Sequence, residues 1–149
     1  MARVFILGAG VMGSALAVPA ADNGHEVTLA GTSLDSAIVK ALETDLGGHP
    51  KLGAPLPQGV KVVTAASVSE ADAARADVTV IGVSSPGITW AADQLERLQP
   101  KGMLALVTKG LVPGSDAVPL TYAEAFPEML RGRGLSLPFV GIGGPCIAR

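Results

Sequence analysis

Cysteine is almost missing from this chain: Cys146 is the only one among 149 residues. A disulfide framework and a cysteine zinc site are therefore excluded, and a cytoplasmic location is the default expectation. Aromatic residues make up only 3% of the chain, too few for platforms that stack nucleic-acid bases. Charge is sparse and balanced, with 16% charged residues and a net charge of −2, so no bias toward nucleic acid or a membrane surface is expected. Arg131-Gly132-Arg133-Gly134 reads as a helix exit with solvated charges, because two arginines do not make a phosphate-binding patch. Histidine is scarce as well. His25 opens an apolar run and His49 lies in a Pro/Gly loop, each too isolated for a metal site, and no metal is expected.

Long uninterrupted apolar runs are also lacking. Residues 4–21 are mostly apolar, but Gly8, Gly10, Gly13 and Pro19 interrupt them and only Arg3 supplies positive charge. A secretory signal needs an unbroken apolar core and a small-residue cleavage site, so a buried strand with its helix is the better reading.

What the chain has in quantity is glycine, at 19 residues, and apolar side chains, at 48%. The length suits one domain able to bury a real core. The glycines follow no repeat; they cluster where apolar runs end, as in strand-to-helix turns. Short apolar runs at 2–7, 25–30, 60–64, 77–83, 103–108 and 137–142 read as strands. Between them, helices are expected over 11–22 (kinked at Pro19), from a cap at Ser33 or Asp35 to about Leu46, and over 67–75, 86–98 and 116–130. Residues 47–59, with their prolines and glycines, read as a loop.

Continuous apolar strands joined by helices imply a parallel sheet buried on both faces. Two β-α-β-α-β halves give a doubly wound α/β sheet of the Rossmann dinucleotide-binding type, with strand order 3-2-1-4-5-6. No boundary divides residues 1–149, which are read as one NAD(P)-binding module.

Gly8-Ala9-Gly10-Val11-Met12-Gly13 fits G-x-G-x-x-G between the first strand and its helix. Gly8 permits the turn, Gly10 admits a pyrophosphate, and Gly13 lets helix and strand pack closely. Free N–H groups and the helix dipole at Val11, Met12 and Gly13 are suited to phosphate charge. No Gly-Lys-Ser/Thr follows, so this is not a P-loop. An NAD-preferring site carries an acid at the tip of the second strand. Here stand Ala30-Gly31-Thr32-Ser33, with neither an acid nor a base for a 2′-phosphate. Asp35 is close but equally suited to starting a helix. NAD and NADP both remain open as cofactor.

Strands four, five and six should deliver Ser84-Ser85-Pro86, Thr108-Lys109-Gly110 and Gly144-Pro145-Cys146 to the nicotinamide side. Lys109, at a strand end, is placed to neutralise a phosphate or a developing oxyanion.

VTKGL (107–111), GPCIA (144–148), GAGVMGSALA (8–17) and HPKLGAPLP (49–57) together resemble the NAD(P)-dependent glycerol-3-phosphate dehydrogenases. The likeness spans the chain in order and covers that family's N-terminal cofactor domain. It implies that Val11, Met12, Gly31, Thr32 and Ala148 contact NAD or NADP. It also implies that Lys109 touches cofactor and substrate, and that Gly144 and Cys146 lie at the substrate. Cys146 stands where the family often has a hydroxyl, and Gly31-Thr32 where many relatives have basic or aromatic residues. The implied substrate is a small phosphate ester, dihydroxyacetone phosphate or sn-glycerol 3-phosphate, in phospholipid biosynthesis. The implied partner is a helical C-terminal domain carrying the main catalytic lysine, so GGPCIAR (143–149) reads as a hinge and this chain as inactive alone. An apolar docking face and self-association as a homo-oligomer are then expected. Related reductases of 3-hydroxy acids or ketopantoate, and a stand-alone dinucleotide-binding module, are the alternatives.

Overall fold

The computed structural model describes residues 1–44, 48–114 and 118–143. Strands β1 (Arg3–Leu7), β2 (Glu26–Gly31), β3 (Lys61–Thr64), β4 (Val78–Ile81) and β5 (Met103–Leu106) alternate with helices α1 (Val11–Asp22), α2 (Ser36–Leu42), α3 (Glu70–Ala74) and α4 (Ile88–Leu98). After β5 come two short strands, β6 (Leu111–Val112) and β7 (Leu120–Thr121), then α5 (Tyr122–Arg131) and β8 (Phe139–Gly141). Six strands form one parallel sheet in the order β3-β2-β1-β4-β5-β8, while β6 and β7 pair antiparallel outside it. This is the 3-2-1-4-5-6 order that the apolar runs imply.

Successive side chains of a strand face opposite ways, so each strand feeds two cores. Phe5, Leu7, Ile81, Leu104 and Leu106 pack with Ala91, Leu95 and Leu98 of α4 and Phe126 and Leu130 of α5. Ile6, Val27, Leu29, Val80 and Ala105 pack on the other face with Ala17 of α1 and Val39 of α2. In α4 the buried residues Ile88, Ala91, Ala92, Leu95 and Leu98 recur every three or four positions, forming one apolar stripe. Burying each leucine there contributes about 2 kcal/mol. The second face is less covered toward β5 and β8, where Met103, Val140 and Ile142 stay 39–45% exposed.

Several boundaries differ from expectation, each for a local reason. The second helix is preceded by a 3-10 turn, Ser33–Asp35, which Thr32 caps in a reciprocal box with Asp35. Asp35 is then the N-cap residue of α2, without a side-chain capping bond to it, and α2 ends at Leu42, short of Leu46. The third starts later than residue 67: a 3-10 turn (Ala65–Ser67) precedes it and Ser69 caps α3. The fifth begins at Tyr122; the expected start at 116 lies outside the described residues. Leu120 and Thr121 belong to a strand, and Thr121 caps α5 through a reciprocal box with Glu124. Pro19 sits inside α1, whose helical span continues through it to Asp22.

Among the described residues no helix is long and apolar enough to cross a membrane. Nor does any group of three metal-ligating side chains gather there.

Candidate functional site

Parallel strands present all their carboxyl ends at one edge of the sheet, and those of the expected site residues that the structure describes lie along that edge. Gly8 leaves β1 at φ +112°, a conformation that side chains other than glycine's rarely adopt. A β-carbon there would also stand 2.9 Å from the carbonyl of Gly82, the residue that leaves β4. Gly13 completes the contact: its β-carbon would collide with the Gly8 carbonyl oxygen. Gly82 is equally confined, since its β-carbon would meet the Gly13 α-carbon at 3.0 Å. Three glycines therefore bring β1, α1 and β4 into backbone contact.

Gly10 behaves differently. Its backbone is ordinary (φ −66°, ψ −179°), and among the described residues a β-carbon on it would meet nothing within 4 Å. Neither strain nor internal packing requires glycine at this position. It is the N-cap of α1, makes no side-chain capping bond, and no acidic residue follows in the first turn. Val11 and Met12, 39% and 46% exposed, flank this open helix end. A twelve-residue helix thus points its positive end into clear space, with only hydrogen atoms on the nearest glycine. An approaching pyrophosphate needs such a cradle, and a side chain at residue 10 would fill it. The residues present fit a dinucleotide.

The turn is braced from beneath. The Ser14 hydroxyl, fully buried, donates to the Ala9 carbonyl at 3.0 Å. The Ala9 N–H donates to Asp35 Oδ2 at 3.1 Å, and the Thr32 N–H donates to the same oxygen at 2.9 Å. Asp35 therefore joins the glycine loop to the tip of β2. Gly31 is buried between them: a β-carbon would clash with Val39 and come within 3.5 Å of the β-carbons of Asp35 and Ala9. Thr32 turns its hydroxyl to the Leu34 N–H at 3.1 Å.

On the other side of β1 a second set of bonds ties the loop after β4 to the loop after β5. The Thr108 hydroxyl donates to the Val83 carbonyl at 2.6 Å, and the Ser85 hydroxyl to the Lys109 carbonyl at 2.8 Å. Gly110, at φ +128°, lies where a β-carbon would be 3.1 Å from both Ser85 Oγ and the Tyr122 ring. Ser84 is exposed at the head of its 3-10 turn, and Lys109 is exposed beside it. The edge thus gathers Gly8, Gly10, Val11, Met12, Gly13, Gly31, Thr32, Ser84 and Lys109. Gly144, Cys146 and Ala148 lie outside the described residues.

Sequence reasoning missed Gly82, Ser14, Thr108 as a tether, and Tyr122. Gly82 directly follows an apolar strand, as Gly8 does, and that parallel was the available signal. Nothing local marks Tyr122, which opens α5 directly after β7 and lies against Gly110.

The histidines hold local structure. His25 Nδ1 accepts the Ala2 N–H at 3.1 Å, and buried His49 Nδ1 accepts the N–H groups of Lys51 and Leu52. A separate cleft of about 260 Å³ opens at the opposite, amino-terminal edge of the sheet, between Arg3, Glu26, Lys61, Asp72 and Arg75. Acids and bases alternate around it, and Arg3 pairs with Glu26 at 3.4 Å. The carboxylate of Asp72 accepts the N–H and the hydroxyl of Ser69.

Comparison with known proteins agrees with this geometry. The family model described as "NAD-dependent glycerol-3-phosphate dehydrogenase N-terminus" matches residues 3–149. An NADP(+)-dependent glycerol-3-phosphate dehydrogenase of Archaeoglobus fulgidus is 37% identical over 149 residues, covering 98% of this chain and 42% of the relative. A glycerol-3-phosphate dehydrogenase [NAD(P)+] of Desulfitobacterium hafniense is 34% identical over 77% of this chain and 32% of its own length. The crystal structure of glycerol-3-phosphate dehydrogenase from Coxiella burnetii shares the fold, with a TM-score of 0.72 and 24% identity over 98% of this chain and 42% of that one. A 2-dehydropantoate 2-reductase of Enterococcus faecalis shares it more distantly, at a TM-score of 0.55 and 15% identity over 74% of this chain and 34% of that one. The chain spans less than half the length of these relatives.

Proposed function

This chain belongs to the NAD-dependent glycerol-3-phosphate dehydrogenase family, and from that premise we propose that residues 1–149 form the cofactor half of such an enzyme. Its reaction interconverts dihydroxyacetone phosphate and sn-glycerol 3-phosphate with NADH or NADPH. The open cradle over Gly10 is the observation that supports this reading most, because nothing among the described residues requires glycine there.

Each residue has a role in the proposal. Gly8 and Gly13 shape the turn, and Gly10 leaves room for the pyrophosphate beside the N–H groups that open α1. Val11 and Met12 border the phosphates, and Gly31 with Thr32 borders the adenosine ribose. Ser84 flanks the nicotinamide side. When bound, the cofactor supplies a hydride to the carbonyl carbon of the substrate. Lys109 holds the substrate and stabilises negative charge developing on its oxygen. The bonds from Thr108 to Val83 and from Ser85 to Lys109 set the position of that lysine. The motif likeness further assigns Gly144 and Cys146 to the substrate and Ala148 to the cofactor.

A helical C-terminal domain would supply the remaining catalytic groups, and the exposed strip of Met103, Val140 and Ile142 is the apolar surface available for contact with it. Cytoplasmic glycerol phosphate supply for phospholipid synthesis is the proposed setting.

Turnover by the full-length protein tests the reading. Dihydroxyacetone phosphate should be reduced in preference to ketopantoate and 3-oxo acids. Lys109→Ala should lower kcat far more than it weakens NADPH binding. Preference for another ketone, or unchanged turnover in the variant, would contradict it.

A further inference from the structure

An acid near the tip of the second strand of a dinucleotide fold has two possible occupations. It can accept hydrogen bonds from the adenosine ribose and repel a 2′-phosphate, or it can hold the protein's own backbone. In this chain that acid is Asp35, and its hydrogen bonds distinguish the two.

One carboxylate oxygen, Oδ2, accepts the N–H of Thr32 at 2.9 Å and the N–H of Ala9 at 3.1 Å. Ala9 is fully buried inside the glycine loop, 26 residues away in sequence. The side chain is drawn back under Gly31, where only a residue without a β-carbon leaves room between Asp35, Ala9 and Val39. The outward-facing residues at this tip are Ser33 and Leu34, the latter 92% exposed, and neither carries charge.

We infer that Asp35 is a positioning residue that clamps the glycine loop to the tip of β2, and that this chain therefore lacks the acidic discriminator against a 2′-phosphate and accepts NADPH at least as well as NADH. The inference rests on the dinucleotide-binding reading above. Its chemistry is that of a charge-assisted acceptor bonded to backbone donors, stronger than a neutral pair and fixed in direction. If the clamp is removed, Ala9 loses its partner and the turn that must meet the pyrophosphate shifts. That loss falls on both dinucleotides alike, because both carry the same pyrophosphate. A ribose acceptor would behave otherwise: its removal would weaken NADH and relieve repulsion of NADPH.

The test is fluorescence titration of the 149-residue chain with NADH and with NADPH, for the wild type, Asp35→Ala and Asp35→Asn. Amide hydrogen exchange without cofactor accompanies it. The wild type should bind NADPH no more weakly than NADH. Asp35→Ala should weaken both by about tenfold, leaving their ratio within about twofold of wild type. Asparagine keeps an acceptor oxygen without charge and should restore most of the affinity for both. In Asp35→Ala, exchange should accelerate locally at Ala9 and Thr32, whereas a general loss of stability would accelerate it throughout the sheet. If the alanine variant does not fold, Asp35→Asn carries the ratio test alone. A shift of about tenfold or more toward NADPH in either variant, or a wild type that strongly prefers NADH, overturns the inference while leaving dinucleotide binding intact. A wild type that binds neither overturns both.

Discussion

The carbonyl oxygen of Gly8 occupies the space that a β-carbon on Gly13 would need. The first turn of α1 can lie against the end of β1 only because residue 13 has no side chain, and the opposing atom is rigid backbone. Gly13→Ala should therefore destabilise the fold by about 2 kcal/mol through forced displacement of the turn. A urea unfolding midpoint equal to wild type would show that the turn yields without cost.

Gly10 is the complementary case. Its backbone suits any residue and its surroundings are empty. Gly10→Ala should change stability by less than about 1 kcal/mol, the scale of an N-cap exchange. Dinucleotide affinity should fall by about tenfold or more, equivalent to 1.4 kcal/mol. Titration and thermal unfolding of the same variant separate the two effects. Loss of stability with affinity retained would reverse the assignment.

Thr79 is fully buried in β4, and its hydroxyl has no hydrogen-bond partner among the described residues. Valine has nearly the same shape and no polar group to desolvate. Thr79→Val should raise stability by about 1 kcal/mol, seen as a higher denaturant midpoint at unchanged slope. A lower midpoint would mean that the hydroxyl is satisfied in solution.

The cap of α5 should make stability depend on acid. The N–H and then the hydroxyl of Thr121 donate to the Glu124 carboxylate and hold its pKa below the ordinary 4.5. A lowered folded-state pKa means that the unfolded chain binds the proton more readily. The stabilisation is thus complete above pH 4.5 and disappears as the pH falls through the lower folded value. Glu124→Gln should flatten that part of the stability–pH curve; an unchanged slope would remove Glu124 as its source.

The strand order was readable because parallel strands buried on both faces appear as continuous apolar runs separated by helical spacing. Gly8, Gly10 and Gly13 were readable because three structural needs fall within six consecutive residues. What escaped depends on distance along the chain. Asp35 reads locally as a helix-start residue, and its partner Ala9 is 26 positions earlier. Gly82 is marked locally only by following an apolar strand; its importance comes from the contact with Gly13, far away in the chain. The start of α5 is legible as Thr-x-x-Glu over residues 121–124, the signature of a reciprocal cap. Short strands such as β6 and β7, with two residues each, leave no periodicity to find.

The proposed function requires a dinucleotide to bind across the carboxyl-terminal edge of the sheet, on the glycine turn. The most direct measurement is an NMR titration of the backbone amides of the 149-residue chain with NADPH. The largest saturable shifts should fall on Ala9–Gly13 and on Gly31 and Thr32, while Arg3, Lys61 and Arg75 around the opposite cleft stay in place. Saturable shifts centred on that opposite cleft, or none anywhere, would contradict the account.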